Sequence, residues 1–323
     1  MATGQGQTLS AGAGTPVPAG ARPEAIKAIP VRHWGRWLSA AIIIYLVIAL
    51  LFSFIRNPND QWSVIWQYLF QRYTLIGVAN TLWMTFAAMA VGAVGCIVLA
   101  VMRLSKNTIL STVSWVYIWF FRGTPVLVQI LVWGYVGALY KLIYVGLPFT
   151  GLRLGTVSGA NLSKNIFIVA VLALGLNEAA YAAELVRAGI ISVDAGQTEA
   201  ASSLGMSPTL IMRRIVLPQA MRVIVPTFGN ETISMLKTTS LVYVLGGAIE
   251  LLGRMQQVYA QTFQIIPLLI VASMWYIFLT TVFTVGQRYI EAYFGRGFGA
   301  GGTEAGEKRA ARRAVKRGGL GHV

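Results

Sequence analysis

The chain has 323 residues, of which 56% are hydrophobic and only 11% are charged, and its formal net charge is +15. Soluble domains carry about 25% charged residues, so this composition argues against a soluble protein and indicates an integral membrane protein. The single cysteine, Cys96, excludes a disulfide framework and a thiolate metal cluster within one chain.

The first predicted element is a tail. Residues 1–37 are rich in Gly, Ala, Pro and Thr and lack a periodic apolar pattern, which predicts a disordered segment. An apolar run follows from Leu38 to Ile55. A cleaved signal peptide has a shorter apolar core nearer the start and small residues after it, so we interpret this run as a retained membrane span.

The rest of the sequence predicts an all-α membrane protein. Apolar stretches long enough to cross about 30 Å of hydrocarbon give about six spans in total. The five after the first are expected near 75–102, 112–140, 166–190, 223–249 and 264–287. The segment 223–249 is rich in polar residues, so it must face other helices or a wet cavity, or else it is not a span.

The basic residues predict the orientation in the membrane. If both ends are cytoplasmic, the inner tails and loops hold eighteen Lys and Arg residues and the outer loops hold six, with Arg122 and Lys237 inside spans. The positive-inside rule favours this arrangement, with a transmembrane domain at 38–294 and a basic cytoplasmic tail at 295–323. Anionic lipid headgroups then account for the charge without nucleic acid, the alternative being RNA binding by the C-terminal cluster.

A long polar loop, residues 192–221, is expected between the fourth and fifth spans. Its pattern predicts a short helix, a stop at Gly205 and a second helix. Ser207 is a favourable N-cap, and Pro208 suits the first helical position, where its missing N–H costs nothing. We expect the second helix to end before Pro218, so that the loop forms a rigid cytoplasmic projection of two helices.

The spacing within this loop resembles the EAA signature of ABC importer permeases. The matching residues are Glu199, Ala200, Ala201, Gly205, Ile215, Leu217 and Pro218. Three other segments resemble the polar amino-acid subgroup, the histidine- and glutamine-type permeases. They are Phe121-Arg122-Gly123-Thr124-Pro125 with Gln129, Ala180-Tyr181 with Glu184, Arg187 and Gly189-Ile190, and Lys237 with Thr239-Ser240-Leu241. The resemblance extends over roughly residues 75–290.

This resemblance implies a type I ABC importer core whose cytoplasmic coupling-helix loop docks on a separate ATPase. Gly205 would supply the sharp turn, Ala200 and Ala201 would permit close approach, and Glu199 would offer a charge to the partner. The implied assembly has a second permease subunit, identical or paralogous, two ATPase subunits that bind ATP and Mg, and an extracellular or lipid-anchored amino-acid-binding protein. The chain itself would hold no cofactor and no metal, and it would lie in the bacterial cytoplasmic membrane.

Charged residues inside spans are costly and often functional. Arg122 and Glu178 are expected at similar depth and have opposite charges. Arg122 suits the carboxylate of an amino acid as a bidentate fork, and Glu178 suits the α-ammonium or a basic side chain. The family more often has a small residue in place of Glu178, which makes it a candidate for selectivity. The alternative is that both residues form structural ion pairs with each other, or with Lys237 or Glu231.

The fifth span carries a stripe of polar residues at three- and four-residue steps, which suits either a transport path or hydrogen bonds between helices. These residues are Thr227, Asn230, Ser234 and Lys237, with Glu231 and Thr238 on an adjoining strip. With the motif residues included, the candidate substrate path comprises Arg122, Thr124, Gln129, Glu178, Tyr181, Asn230, Ser234 and Lys237. Glu184 and Arg187 are three residues apart, so we expect a salt bridge between them.

The expected function is therefore a permease subunit that moves a polar amino acid into the cell. An ABC permease for another small solute and an ion-coupled secondary transporter are the alternatives, although the paired halves with broken helices typical of secondary transporters are not evident. An enzyme is not expected. The two histidines, His33 and His322, lie in the tails, and the sequence has no Gly-rich phosphate loop of the ATPase type.

Overall fold

This computed structural model describes residues 34–146 and 152–295, and the chain divides into two compact units after Arg56. In the first unit, α1 is a single apolar helix of 22 residues, Trp34–Ile55. Residues 34–37 of the predicted disordered tail therefore belong to a helix. The rest of that tail, and the predicted basic tail after Gly295, lie outside the described residues.

Helices dominate the second unit, in agreement with the predicted class. In chain order its elements are a 3₁₀ turn (Pro58–Asp60), α2 (Trp62–Leu69), α3 (Arg72–Arg103), α4 (Thr108–Gly123), α5 (Val126–Gly134), α6 (Val136–Leu139), β1 (Leu142–Gly146), β2 (Arg153–Ser158), α7 (Gly159–Lys164), α8 (Ile166–Ile191), α9 (Ala195–Ser203), α10 (Pro208–Ile211), a π-helical turn (Met212–Val216), α11 (Leu217–Thr238), a 3₁₀ helix (Thr239–Leu245), α12 (Leu251–Thr262) and α13 (Ile265–Phe294). The antiparallel hairpin of β1 and β2 is an addition to the predicted helical architecture.

Four helices of the described chain are long and apolar enough to span a membrane: α1, α3, α8 and α13. The bent pair α4 and α5 gives a fifth span if it is counted as one. The remaining predicted span corresponds to α11, whose 22 residues reach about 33 Å at 1.5 Å per residue. That length matches the hydrocarbon core, so the polar sequence of α11, and not its length, sets it apart from the others.

The contact between α3 and α8 is the most extensive helix pairing in the second unit. Small residues allow the close approach. A Cβ added at Gly95 of α3 would lie 2.7 Å from the Cβ of Ala179, and one added at Gly175 of α8 would lie 2.6 Å from the Cβ of Val91. Such small-residue contacts are typical of helix pairs in membranes. They fix the register of α8 against α3.

The predicted third span, 112–140, is two helices rather than one. α4 ends at Gly123, α5 begins at Val126, and the two helices are bent by 100° relative to each other. Thr124 is extended, with φ −111° and ψ 142°, as expected for a residue that precedes proline. Pro125 has no N–H with which to continue α4, so the helix stops and Arg122 lies in its last turn, at the bend.

The prediction that the second loop helix ends before Pro218 is wrong. From Pro208 to Thr238 the chain is helical without interruption, through the π-helical turn into α11. In that turn the N–H of Leu217 donates to the carbonyl of Met212, five residues earlier. This wider turn lets the helix accommodate Pro218, which lies in the first turn of α11. The second half of the polar loop and residues 223–238 of the fifth predicted span are thus one helical path, whereas Thr239–Leu245 is a 3₁₀ helix.

The N-terminus of α12 is anchored by a buried carboxylate. Glu250 accepts hydrogen bonds of 2.6 Å from both the Leu252 and the Gly253 N–H. The Tyr276 hydroxyl of α13 donates to the same carboxylate at 3.3 Å. Thr81 of α3 accepts the Leu251 N–H at 3.1 Å. These bonds satisfy donors that a helix start leaves unpaired, and they tie α12 to α3 and α13.

Candidate functional site

A cavity of about 470 Å³ lies where the bend between α4 and α5 meets α8 and α11. Its volume is within the range of about 300–1,000 Å³ typical of small-ligand sites. The charged residues in its wall are Arg122, Glu178 and Glu231. The other lining residues are Gly123, Thr124, Pro125, Val126, Leu174, Asn177, Tyr181, Ser234, Met235 and Thr238.

Arg122 reaches the cavity from the last turn of α4. Its guanidinium carbon lies 5.2 Å from the centre of the Tyr181 ring on α8, within the range of a cation–π contact. It forms no ion pair with any residue that the structure describes. Since a guanidinium has five N–H donors, Arg122 has donors to offer a carboxylate in the cavity.

Glu178 faces the cavity from the middle of α8 and is only 5% exposed. Its oxygen Oε1 is buried and has no hydrogen-bond partner among the described residues. Burial of a carboxylate without a partner is costly, because the group loses its hydration and gains nothing in exchange. A cationic ligand in the cavity would supply the missing counter-charge.

The third side of the cavity belongs to α11. Glu231, Ser234 and Thr238 follow one another at steps of three and four residues, so they share one face of this helix. Glu231 is half-buried and lines the same cavity as Glu178. The cavity wall therefore carries two carboxylates and one guanidinium.

The structure brings five of the eight predicted path residues to this cavity: Arg122, Thr124, Glu178, Tyr181 and Ser234. The other three do not line it. Gln129 is buried behind the bend, where its side chain bonds protein groups. Asn230 and Lys237 are exposed on α11, outside the cavity wall. Both the strip of α11 with Asn230 and Lys237 and the strip with Glu231 have polar residues at steps of three and four, so this spacing alone could not predict which of them faces the cavity.

Asn177 is a cavity residue that the sequence analysis missed. The available signal was an amide in an otherwise apolar span, immediately before Glu178, since polar groups in a span need partners. Glu231 and Thr238 were noted only as neighbours of the polar stripe. They share one face of α11 with Ser234, and it is the position of the cavity that distinguishes this face from the one with Asn230 and Lys237.

The structural alternative, in which the charged residues of the predicted spans pair with each other, is not observed in the described part of the chain. No ion pair joins Arg122 or Lys237 to Glu178 or Glu231 there. The expected pair at the end of α8 is present, since Arg187 Nε lies 2.8 Å from Glu184 Oε2. The charges that line the cavity are thus not neutralised by each other, whereas Glu184 and Arg187 outside it form an ion pair.

The loop between α8 and α11 is a compact two-helix unit. Asp194 caps α9 by accepting the Gly196 N–H at 2.7 Å. At the other end of α9, the Gly205 N–H donates to Ser202 O and the Met206 N–H to Ala201 O, which is a Schellman motif. Gly205 has φ +77°, a conformation that glycine adopts without the strain of a Cβ. The predicted stop is therefore a sharp turn.

The residues of the EAA signature divide into two groups. Ala201 is buried with Ile211 and Val216 in a small apolar core of the loop, and Ile215 packs against it. The exposed members are Glu199, Ala200, Gly205, Leu217 and Pro218. The buried group holds the two helices together, and the exposed group is available to a partner.

The chain matches the family model described as "Binding-protein-dependent transport system inner membrane component" over residues 92–295. It is 44% identical over 277 residues to the arginine transport system permease protein ArgU of Corynebacterium glutamicum, a match that covers 86% of this chain and 85% of that protein. It is 39% identical to the nopaline transport system permease protein NocM of Agrobacterium fabrum, over 64% of this chain and 82% of that protein.

A solved structure described as an amino acid ABC transporter with histidines is similar as well. The two chains share 34% identity and align with a TM-score of 0.57, over 68% of this chain and 94% of the other. The matched family range includes the cavity and the loop with the EAA signature. From the family match over more than half of its length, the chain belongs to the inner-membrane components of binding-protein-dependent transport systems.

Proposed function

We propose that this chain is the permease subunit of an ATP-driven importer for a cationic amino acid, with the cavity between α4, α8 and α11 as its substrate site. The substrate class is inferred from the charges of the cavity wall, which is lined by one cationic residue, Arg122, and two acidic residues, Glu178 and Glu231. Relatives named for arginine and nopaline transport support an amino-acid substrate. Family membership argues against the ion-coupled alternative.

The charges of the cavity complement those of a cationic amino acid. Such a substrate has one carboxylate, one α-ammonium and one cationic side chain. Arg122 binds the carboxylate through paired N–H···O bonds. Glu178 and Glu231 bind the two cations. A substrate with a neutral side chain leaves one of these carboxylates without a counter-charge, which is unfavourable above all for the buried Glu178.

ATP hydrolysis belongs to a partner in this proposal. A separate ATPase docks on the exposed part of the loop around Glu199 and Ala200. The helical path from Pro208 to Thr238 starts after the turn at Gly205, which joins it to the docking helix α9, and leads to Glu231 and Ser234 of the cavity. Because the path is one unbroken helix, movement of the loop moves the cavity face of α11. ATP binding need only favour one of two states of the assembly for the cavity to change its access.

The full assembly in this proposal has two permease subunits, two ATPase subunits and a binding protein that delivers the amino acid. Both ends of the chain face the cytoplasm, which is supported by the excess of basic residues in the inner tails and loops. The residues 38–294 form the transmembrane permease domain, and the loop 192–221 is its coupling segment.

Uptake of labelled amino acids tests the proposal. A strain that lacks this chain is compared with the same strain restored by the native chain, and with strains carrying Glu178→Gln or Glu231→Gln. The expected result is that arginine or lysine uptake depends on the chain, stops when ATP is depleted while ion gradients are held, and falls at least about tenfold in either variant. Glu291→Gln is the matched control, since Glu291 is an exposed carboxylate near the end of α13.

The outcomes separate the two parts of the proposal. Dependence of a neutral or acidic amino acid on the chain, with arginine and lysine unaffected, contradicts the substrate class but leaves the importer in place. Uptake that continues without ATP contradicts the importer itself.

A further inference from the structure

We propose that Gln129 and Asn177 form an amide clamp that holds Arg122 in the substrate cavity, so that Gln129 acts as a positioning residue and not as part of the substrate path. The clamp joins α5 and α8 to the end of α4. This inference rests on the proposed contact between Arg122 and the substrate carboxylate.

The bend leaves the backbone carbonyl of Phe121 without its helical partner. In a continuous α4 the carbonyl of Phe121 would accept the N–H of residue 125, but that residue is Pro125 and has no N–H. Two side-chain amides replace the missing donor. Gln129 Nε2 lies 2.9 Å from Phe121 O, and Asn177 Nδ2 lies 3.1 Å from the same oxygen.

A second set of bonds holds the residues after Arg122. Gln129 Nε2 lies 3.1 Å from Thr124 O and 2.7 Å from Thr124 Oγ1. The Thr124 hydroxyl itself donates to Phe120 O at 2.9 Å. The chain is therefore fixed on both sides of Arg122, one residue before it and two residues after it.

The two amides also bond each other, which makes the clamp one unit. Asn177 Nδ2 donates to Gln129 Oε1 at 3.1 Å. Gln129 is only 5% exposed, so its amide depends on protein groups for its hydrogen bonds. Polar groups buried in a membrane protein are satisfied by protein partners, and here the partners are the atoms that define the bend.

The clamp fixes the position of Arg122 relative to α8. Asn177 lies one helical turn before Tyr181, whose ring forms the cation–π contact with the Arg122 guanidinium. It also directly precedes Glu178, the buried carboxylate of the cavity. The clamp thus sets the distance between the guanidinium on α4 and the carboxylate on α8. Gln129 does not line the cavity, so it acts only through this arrangement.

A double-mutant cycle tests the clamp. Labelled arginine binding is measured on the purified full-length permease with its ATPase, without the binding protein. The chains compared are native, Gln129→Met, Arg122→Ala and the double variant, with Asn177→Ala taken through the same cycle. Gln129→Met keeps the length of the side chain and removes its donors. Residues that act through a shared contact show non-additive effects, whereas independent ones add.

The expected result is that each clamp variant weakens arginine binding about tenfold in the native background and less than about twofold in the Arg122→Ala background. Equal losses of arginine affinity in both backgrounds, or failure of both clamp variants to assemble, would show that the amides stabilise the fold without positioning Arg122. Unchanged binding in the clamp variants, with a loss in Arg122→Ala alone, would overturn the clamp and keep the proposed function. Unchanged binding in Arg122→Ala would overturn the carboxylate contact and the clamp together.

Discussion

Gly92 of α3 and Glu178 of α8 meet at one point of the helix contact: a Cβ added at Gly92 would lie 2.6 Å from Cγ and 2.9 Å from Cβ of Glu178. A glycine on one helix thus provides the space for a carboxylate on the other. The same contact that fixes α8 against α3 places Glu178 in the wall of the cavity. Packing and the proposed substrate site therefore depend on each other here.

Gly92→Ala should weaken arginine binding while the protein still folds. The added methyl group forces Glu178 or its helix to move, and overpacking of this kind costs about 1–3 kcal/mol. The measurement is labelled arginine binding to the purified assembly, together with its thermal unfolding. Gly286→Ala is the control, because no heavy atom lies within 4 Å of a Cβ at Gly286. Native affinity in Gly92→Ala would show that the position of Glu178 does not matter for binding.

Arg122→Gln should remove the preference for a substrate carboxylate. We expect the loss of a charge-assisted bond to cost about 1.5–3 kcal/mol for arginine, and much less for argininamide, which lacks the carboxylate. Competition of the two compounds against labelled arginine measures the difference. Arg288→Gln, at an exposed position of α13, is the control. If the variant loses the same affinity for both compounds, Arg122 does not contact the carboxylate.

Substitutions at Gly205 should uncouple transport from ATP hydrolysis in a graded manner. A methyl group at Gly205→Ala meets no neighbouring atom, so its cost is the backbone strain of a non-glycine residue at φ +77°, about 1–2 kcal/mol. Gly205→Pro cannot adopt that φ and also loses the N–H that donates to Ser202 O. We expect transport to fall modestly in Gly205→Ala and to be abolished in Gly205→Pro, with both chains still inserted in the membrane.

The readout for Gly205 is uptake and ATPase activity of the same reconstituted preparation. Coupling through the loop predicts that Gly205→Pro hydrolyses ATP independently of substrate or fails to bind the ATPase. Normal uptake by Gly205→Pro would refute the coupling role of the turn.

Glu250→Ala should destabilise the part of the fold around α12. Its carboxylate caps two N–H groups of α12 and accepts from Tyr276, so its removal leaves buried donors unsatisfied. The loss of an N-cap costs about 1–2 kcal/mol. Thermal unfolding of the purified chain measures it, with Glu250→Gln as the comparison because an amide oxygen still accepts one bond. Equal stability of native protein and Glu250→Ala would mean that the cap does not hold α12.

The arrangement of the main spans could be predicted because long apolar segments carry their own signal. α3 and α8 match the expected segments closely, whereas α1 starts four residues before the expected segment and α13 extends seven residues beyond it. The bend after α4 was missed although its signal is local. Pro125, preceded by Gly123 and Thr124, ends the helix, but the run of hydrophobic residues on both sides suggested one straight span.

The candidate site was harder to predict, since it depends on which faces of three helices meet. The opposite charges and similar expected depth of Arg122 and Glu178 pointed to one site, and both line the cavity. Gln129 was assigned to the substrate path on its motif, yet its amide is used by the backbone of the bend. Pro125 shows in the sequence that Phe121 O lacks its helical partner, but which side chains replace that donor depends on how α5 and α8 pack against the bend.

The loop with the EAA signature was predicted in outline. The stop at Gly205 and the start at Pro208 follow from local residue chemistry, and both occur. The continuation past Pro218 did not follow, because a π-helical turn depends on how the helix packs and not on a recognisable residue.

The most direct test of the proposed substrate site is equilibrium competition on the purified permease with its ATPase, in the absence of the binding protein. Labelled arginine is displaced by lysine, glutamine or glutamate, with the native chain and with a chain carrying Glu178→Gln and Glu231→Gln together. The two carboxylates predict displacement by lysine alone and loss of arginine binding in the double variant. Equal displacement by glutamine, or native arginine affinity in the double variant, would contradict the assignment of this cavity to a cationic amino acid.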